Sequence, residues 1–568
     1  MFTIDIETYS ELNIKNVGAY RYAEHESTRV TLIAAKETHG DCYVFDEVNS
    51  LVYTDDGEAL SESPLDGEKA EEARRWMLGK LQSEDGYKLA HNAQFERTIL
   101  KATGYIGEEA ADPMNWVDTA ALARVLSLPD KLEKLAPVFG VEKLESGKAL
   151  ISKFSKPTKA LPSGPQPDSG LTNDPDWREF MHYNGVDTIT TEYLIEHEDF
   201  LRKPASVDRA VFEADARIND RGVCVDTALA RGAMNASDEA KAAADAQIAE
   251  ATDGQVTKTT QRDRIVKFAK ARGVKLPNLQ EGTLVDVLAN WALPADVRSA
   301  LEARATGAST ASKKYETALN MMNADGRVRG TLLYHGAHTG RWAGRGIQPQ
   351  NLPRPKHSDN EIEQAIRAFS NNERVGEPIA LAASCARGML VPAEGKRMLV
   401  SDLSAIEGRV LAALAGEKSI IQAYIDADNG APDVYKKTVS DIIGVPPDEV
   451  EKKLRNEIGK PTDLGLGFGG GIGAFETMAA IYGTDIAAYF DKLPREYLER
   501  AKSTLEWREI IEPREGFCDL WYEELKAVCA QAVVHRYRDM RPNTVAFWRA
   551  VENAFENAMD NPGGILGA

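Results

Sequence analysis

The chain has 568 residues, 43% hydrophobic and 27% charged, enough for several domain cores beneath a well-solvated surface. Its net charge of −20 excludes a uniformly basic nucleic-acid binder, but not an enzyme with a local basic track. Five scattered cysteines with no CxxC pair argue against a disulfide framework and a cysteine-built zinc site and fit a reducing cytoplasm, and no apolar run approaches the ~18 residues of a membrane span.

In chain order, FTIDIET is a short apolar strand that starts at the initiator Met, so no signal peptide is expected. Asp5 and Glu7 alternate along it and therefore face the same side of a sheet. Two carboxylates held like this repel unless a cation lies between them, although two solvated acids at a strand end would look the same. Strands TLIAAK, CYVFD and YKLAHN alternate with helical stretches up to about residue 200, an α/β pattern. Within this region HNAQFERTIL puts Asn92 and Glu96 at a strand-to-helix junction, and WVDTAALARVL carries Asp118. SKPTKALPSGPQPDSGLTNDPD reads as a loop, and HYNGVDTITTEYL places Tyr183 and Asp187 four apart on one helical face. Residues 201–330 read as mostly helical, strand-like runs return over 331–415, and 416–568 is again mostly helical, with no internal repeat.

The segments around Asp5 and Glu7, around Glu96, and around Tyr183 and Asp187 together resemble the three blocks of the DnaQ-like 3′–5′ exonucleases, the proofreading domains attached to many DNA polymerases. The resemblance covers most of residues 1–200 and implies an RNase H-like α/β fold. It also implies a site in which Asp5, Glu7, Glu96 and Asp187 hold two Mg²⁺ or Mn²⁺ ions while Tyr183 orients the attacking water. Glu96 stands where the family usually has aspartate, one methylene shorter. Asp118 matches a secondary Asp-Thr position and reads as structural.

MLVSDLSAIEGRVLAAL reads as an apolar strand ending on Asp402 and resembles motif A of the family A DNA polymerases. By that resemblance Asp402 binds the catalytic metals, Glu407 excludes a 2′-hydroxyl from the incoming nucleotide, and Arg409 lies near the primer; Leu403 replaces an aromatic residue. KPTDLGLGFGG resembles motif B: Lys460 would meet the triphosphate, with Leu464 and Phe468, spaced i+4 and i+8, stacking on the same helical face. Leu464 again replaces an aromatic residue, and Pro461 suits only the first turn of that helix. Arg387 in CARGMLVP matches an arginine near the nucleotide phosphates, and DVYKKTV resembles a fingers helix that usually carries His at Tyr435. HTGRWAGRGIQPQNLPRP resembles the family's primer–template segment and nominates Thr339, Arg341, Gln350 and Asn351. GASTASKKY nominates Lys313 and Lys314 for phosphate contacts.

All these pieces follow the order of the bacteriophage-type branch. The implied architecture is an α/β exonuclease domain over 1–200 joined to an α+β right-hand polymerase fold. Its thumb and connecting region would span 201–330, a palm portion with motif A 331–415, and fingers with motif B 416–568. The family's His-Asp-Glu motif C does not occur after Arg409, so the palm is expected to be incomplete in these 568 residues, as a fragment or as one half completed by a C-terminal polypeptide that carries motif C. The expected function is a proofreading DNA polymerase of (phage) DNA replication, acting in the host cytoplasm on primer–template DNA and deoxynucleoside triphosphates, with no membrane partner. The alternative is a metal-dependent exonuclease whose polymerase region only holds DNA.

Overall fold

The structure, a computed structural model, describes residues 1–167, 169–197, 206–307 and 311–561. The chain divides into two compact units, Met1–Met398 and Leu399–Ala568. The expected boundary at residue 200 falls outside the described residues, and the expected palm span 331–415 is shared between the two units.

A six-stranded mixed sheet organises the start of the first unit: β1 (Phe2–Tyr9), β2 (Arg29–Glu37), β3 (Cys42–Asp46), β4 (Leu51–Asp55), β5 (Lys88–Ala90) and β6 (Trp116–Asp118). Their order is β4-β3-β2-β1-β5-β6, with β1 to β4 paired antiparallel and β5 and β6 added parallel to β1. Alternation along β1 explains its place. Phe2, Ile4 and Ile6 enter the core shared with the helices Gly67–Gln82 and Ala93–Ala102, while Asp5 and Glu7 point to the opposite face.

That opposite face is covered by the helix Pro175–Glu196, whose N-cap Asp174 accepts from the amide of Asp176 and whose first position is a proline. Trp177, Phe180 and Met181 bury against Leu32, Ala34 and Val44. Polar ties then fix its register. Trp177 Nε1 donates to Asp46 Oδ2 at 2.9 Å, His182 Nδ1 meets Asp55 Oδ2 at 2.7 Å, and Lys36 Nζ pairs with Glu192 at 2.8 Å. Gly185 is a close approach: a Cβ there would stand 2.8 Å from the Asp55 carboxyl.

Between residues 206 and 321 the first unit is mostly helical, as expected for 201–330, around the 25-residue helix Thr227–Ala251. The strand-like runs expected over 331–415 shrink to two-residue ladders, Leu332–Leu333 with Ala343–Gly344, and Leu390–Val391. Helices Asp359–Ser370 and Pro378–Cys385 take much of the remainder. The expected strand ending on Asp402 does not form. Leu399 and Val400 are 81% and 86% exposed, because no neighbouring strand among the described residues offers them a ladder.

The second unit is helical, with its core around Phe475, Leu498, Val528 and Val533. Pro461 does not begin a helix there. It lies inside a continuous helical run made of Lys452–Leu454, a π-helical turn Arg455–Gly459, and Lys460–Leu466. A proline has no N–H for the carbonyl four residues back and its ring crowds that carbonyl; the wider π turn makes room. The carbonyl concerned, Glu457 O, accepts instead from Thr484 Oγ1 at 2.8 Å. Thr484→Val should therefore destabilise the second unit by about 1–3 kcal/mol in urea denaturation. An unchanged midpoint would contradict this account of the turn.

Candidate nuclease and nucleotidyl-transfer sites

The carboxylates nominated from sequence meet over the middle of the sheet. Asp5 and Glu7 come from β1, Asp187 from the helix Pro175–Glu196, and Glu96 from the first turn of Ala93–Ala102. The last helix starts at Asn92, whose left-handed backbone (φ 74°) turns the chain sharply out of β5. Asp118 has the structural role expected: its Oδ1 accepts from the amides of Asn92, Ala120 and Ala121 at 3.0, 2.9 and 3.2 Å.

Glu96 and Asp187 are buried, whereas Asp5 and Glu7 keep a partly open face. Burial, then the charge of Asp187, pushes Asp5 up to about 7. Burial first and Asp5 second drive Glu7 and Glu96 well above the usual carboxylate range, and burial also raises Asp187. The common cause is burial, to which neighbouring carboxylates add at Asp5, Glu7 and Glu96.

Two side chains that the sequence reading missed relieve part of this strain. Asn184 Nδ2 donates to Asp5 Oδ2 at 2.7 Å. Lys143 Nζ pairs with Asp187 Oδ2 at 2.7 Å and donates to Tyr183 OH at 3.1 Å. Asn184 was within reach of pattern reasoning, since it lies three residues before Asp187 on the same helical face. Lys143 was not: it comes from a loop, and no spacing links it to the cluster.

Tyr183 is held on three sides. Phe180 stacks on it at 6.3 Å, Lys143 lies over its ring at 4.9 Å, and Gly147 abuts it so closely that a Cβ would come within 2.3 Å of Cε2. Burial and the adjacent carboxylates raise its hydroxyl pKa, so it stays protonated.

As placed, no group of three or more His, Cys, Asp or Glu side chains among the described residues is closed up as a metal-binding cluster. The donor set nonetheless suits a hard divalent cation. It is all oxygen, and two buried carboxylate oxygens, Asp187 Oδ1 and Glu96 Oε2, have no hydrogen-bond partner.

In the second unit, Asp402, Leu403, Glu407, Leu464 and Phe468 line one cavity of about 260 Å³, together with Tyr435. Lys460 Nζ stands 5.9 Å from the centre of the Tyr435 ring, and Arg455 lies over the same ring at 5.1 Å. Phe468 lies past the end of the helix at Leu466, so the expected i, i+8 pairing along one helix is replaced by a turn. Arg409 is engaged by a bidentate pair with Asp428, at 2.7 and 2.8 Å, and lies over Tyr424. The cavity floor is a buried network in which Arg541 donates to Thr438 at 2.7 Å and Asp463 at 3.2 Å.

The other nominated residues belong to the first unit. Lys313, Thr339, Gln350 and Asn351 are exposed, as is Arg341. Lys314 turns inward instead, donating to Ile347 O at 3.1 Å and Gln348 Oε1 at 3.2 Å, which secures the segment bearing Gln350 and Asn351. Arg387 braces the carbonyls of Leu352 and Pro353.

Residues 280–509 match the model of DNA polymerase family A. A DNA polymerase of Bacillus phage SP02 is 30% identical to this chain over 490 residues, 84% of this chain and 71% of that protein. DNA polymerase I of Mycobacterium tuberculosis is 28% identical over 151 residues, 27% of this chain and 14% of that protein. Among solved structures, a POL domain of Pol1 from M. smegmatis, in complex with DNA primer-template and dNTP, is similar at a TM-score of 0.47 and 15% identity, covering 98% of this chain and 85% of that one.

The packing around Tyr183 gives a direct test. Gly147→Ala should cost about 1–3 kcal/mol through overpacking, because the buried ring has no space to retreat into. Guanidinium unfolding that is unchanged by the substitution would contradict the contact.

Proposed function

This chain belongs to DNA polymerase family A, and we propose that it pairs template-directed DNA synthesis with 3′–5′ exonucleolytic removal of the primer end in phage DNA replication. The observation that carries the nuclease reading is the shared burial and mutual charge of Asp5, Glu7, Glu96 and Asp187, with one oxygen each of Glu96 and Asp187 buried and without a hydrogen-bond partner. The strand order, with an antiparallel extension of β1 and two parallel strands beside it, supports an RNase H-like assignment for this domain.

Asp5, Glu7, Glu96 and Asp187 would hold two Mg²⁺ or Mn²⁺ ions. When bound, these would activate a water toward the phosphodiester and steady the leaving 3′-oxygen. The chain's own residues do the positioning. Asn184 fixes one oxygen of Asp5, so its carboxylate cannot rotate freely. Tyr183, protonated and wedged between Phe180 and Gly147, presents a hydroxyl that orients a water beside Asp187. Glu96, one methylene longer than an aspartate, is buried in the first turn of its helix.

For synthesis, the cavity lined by Asp402, Glu407, Leu464 and Phe468 is the nucleotide pocket, and Lys460 in the same unit and Arg387 in the first unit are the nominated phosphate contacts. Glu407 serves as the filter against a 2′-hydroxyl. Lys313, Thr339, Arg341, Gln350 and Asn351 would follow the DNA backbone and minor groove, a local track that a net charge of −20 does not forbid. Among the described residues no helix is long and apolar enough to cross a membrane. We place the work in the host cytoplasm, where its DNA is. Asp402 stands on an exposed segment that pairs with no strand among the described residues, so extension by this chain alone should be slow. A polypeptide that pairs with that segment and brings a second acid should raise it.

A single pair of variants separates the two activities. On a 5′-labelled oligonucleotide with Mg²⁺ or Mn²⁺, Asp5→Ala with Glu7→Ala should lower 3′-end degradation by orders of magnitude through lost metal binding and leave extension unaltered. Asp402→Ala should remove primer extension and leave degradation unaltered. Full-length label that persists with wild-type protein and either metal would refute the nuclease assignment, and extension indifferent to Asp402→Ala would refute the synthetic one.

A further inference from the structure

Lys143 occupies a place where a lysine is out of keeping with its surroundings. It sits in the loop between the turn Ala136–Phe139 and the helix Gly147–Phe154, and its ammonium reaches into the carboxylate cluster. Its side chain is 12% exposed and that of Asp187 7%, so their 2.7 Å pair is shielded from water. The same ammonium is the cation that offsets the charges of Asp5, Glu7 and Asp187 together. It takes one oxygen of Asp187 and leaves the other, Oδ1, without a partner.

The two partners differ in freedom. Asp187 is fixed by a helix tied to the sheet through Trp177, His182 and Asn184. Lys143 stands on irregular backbone at the end of a flexible four-carbon stem. Positive charge entering the cluster would repel the ammonium at short range in a space with little water to screen it. Of the two, Lys143 is the one that can move.

Resting on the nuclease reading, we propose that Lys143 is a built-in counter-cation of this site: it holds Asp187 and Tyr183 in place while divalent cations are absent and gives up Asp187 when they bind, so that metal affinity is set in competition with it. Lys143 is thus a positioning residue. It keeps four acids together in the metal-free protein, and it weakens metal binding by the work of displacing it.

The test is Mn²⁺ binding to the full chain by isothermal titration. Lys143→Met should bind Mn²⁺ about tenfold more tightly than wild type, and Lys143→Arg, which keeps a cation, no more tightly than wild type. Equal or weaker binding by Lys143→Met would overturn the proposal. A measurement on the wild-type chain needs no variant: an amine-acylating reagent read by mass spectrometry should modify Lys143 faster once Mn²⁺ is saturating. Protection that persists at saturating Mn²⁺ would overturn it equally. Asp5→Ala with Glu7→Ala separates this idea from the reading beneath it. If that double variant binds Mn²⁺ as wild type does, the nuclease site itself is misassigned, whatever Lys143 does.

Discussion

Four carboxylates that share one poorly hydrated space cannot all stay charged without positive charge among them, and the first unit is built around that condition. The sheet supplies Asp5 and Glu7 from its central strand, and the buried helix Pro175–Glu196 delivers Asp187 over them. The helix could not hold this register by apolar contact alone, since a small slide would still bury Trp177 and Phe180. The polar ties are directional: Trp177 to Asp46, His182 to Asp55, Asn184 to Asp5, and Glu192 to Lys36. Each would be broken by a slide of one residue, and a broken buried partner costs more than the bond returns when made. The strain stored by the acids is therefore carried by a scaffold whose position is over-determined.

The second unit meets a different constraint. Its pocket depends on a helical run interrupted in its hydrogen bonding by Pro461, which the π turn and Thr484 accommodate, and on the buried Arg541, which ties Asp463 to Thr438 beneath the cavity. Gly408, next to Glu407, leaves space for the Tyr424 hydroxyl, which would stand 2.2 Å from any Cβ at that position. These features fix the pocket's floor. Its mouth is less constrained: Leu403 is 71% exposed, and the segment before it forms no ladder.

Much of the first site was legible in the sequence because its residues follow short periods. Asp5 and Glu7 are two apart on a strand, and Tyr183 and Asp187 are four apart on a helix; the structure has both elements where those periods put them. Lys143 was illegible because a loop residue has no period, and only the tertiary fold brings it to Asp187. The strand expected before Asp402 failed for a related reason. Apolar residues in a row signal burial in a sheet, but a strand exists only through its neighbours, and none of the described residues lies alongside. Pro461 misled in the opposite sense, since a rule about regular helices does not foresee a π turn.

The account rests on the claim that the cluster of Asp5, Glu7, Glu96 and Asp187 is a divalent-cation site. The most direct measurement is the anomalous scattering of Mn²⁺ in crystals of this chain grown with a thymidine 5′-monophosphate end product. The account predicts strong Mn²⁺ peaks within bonding reach of Asp5 and Asp187, with the nucleotide phosphate beside them. Peaks confined to other parts of the chain, with Lys143 still seated on Asp187, would contradict it.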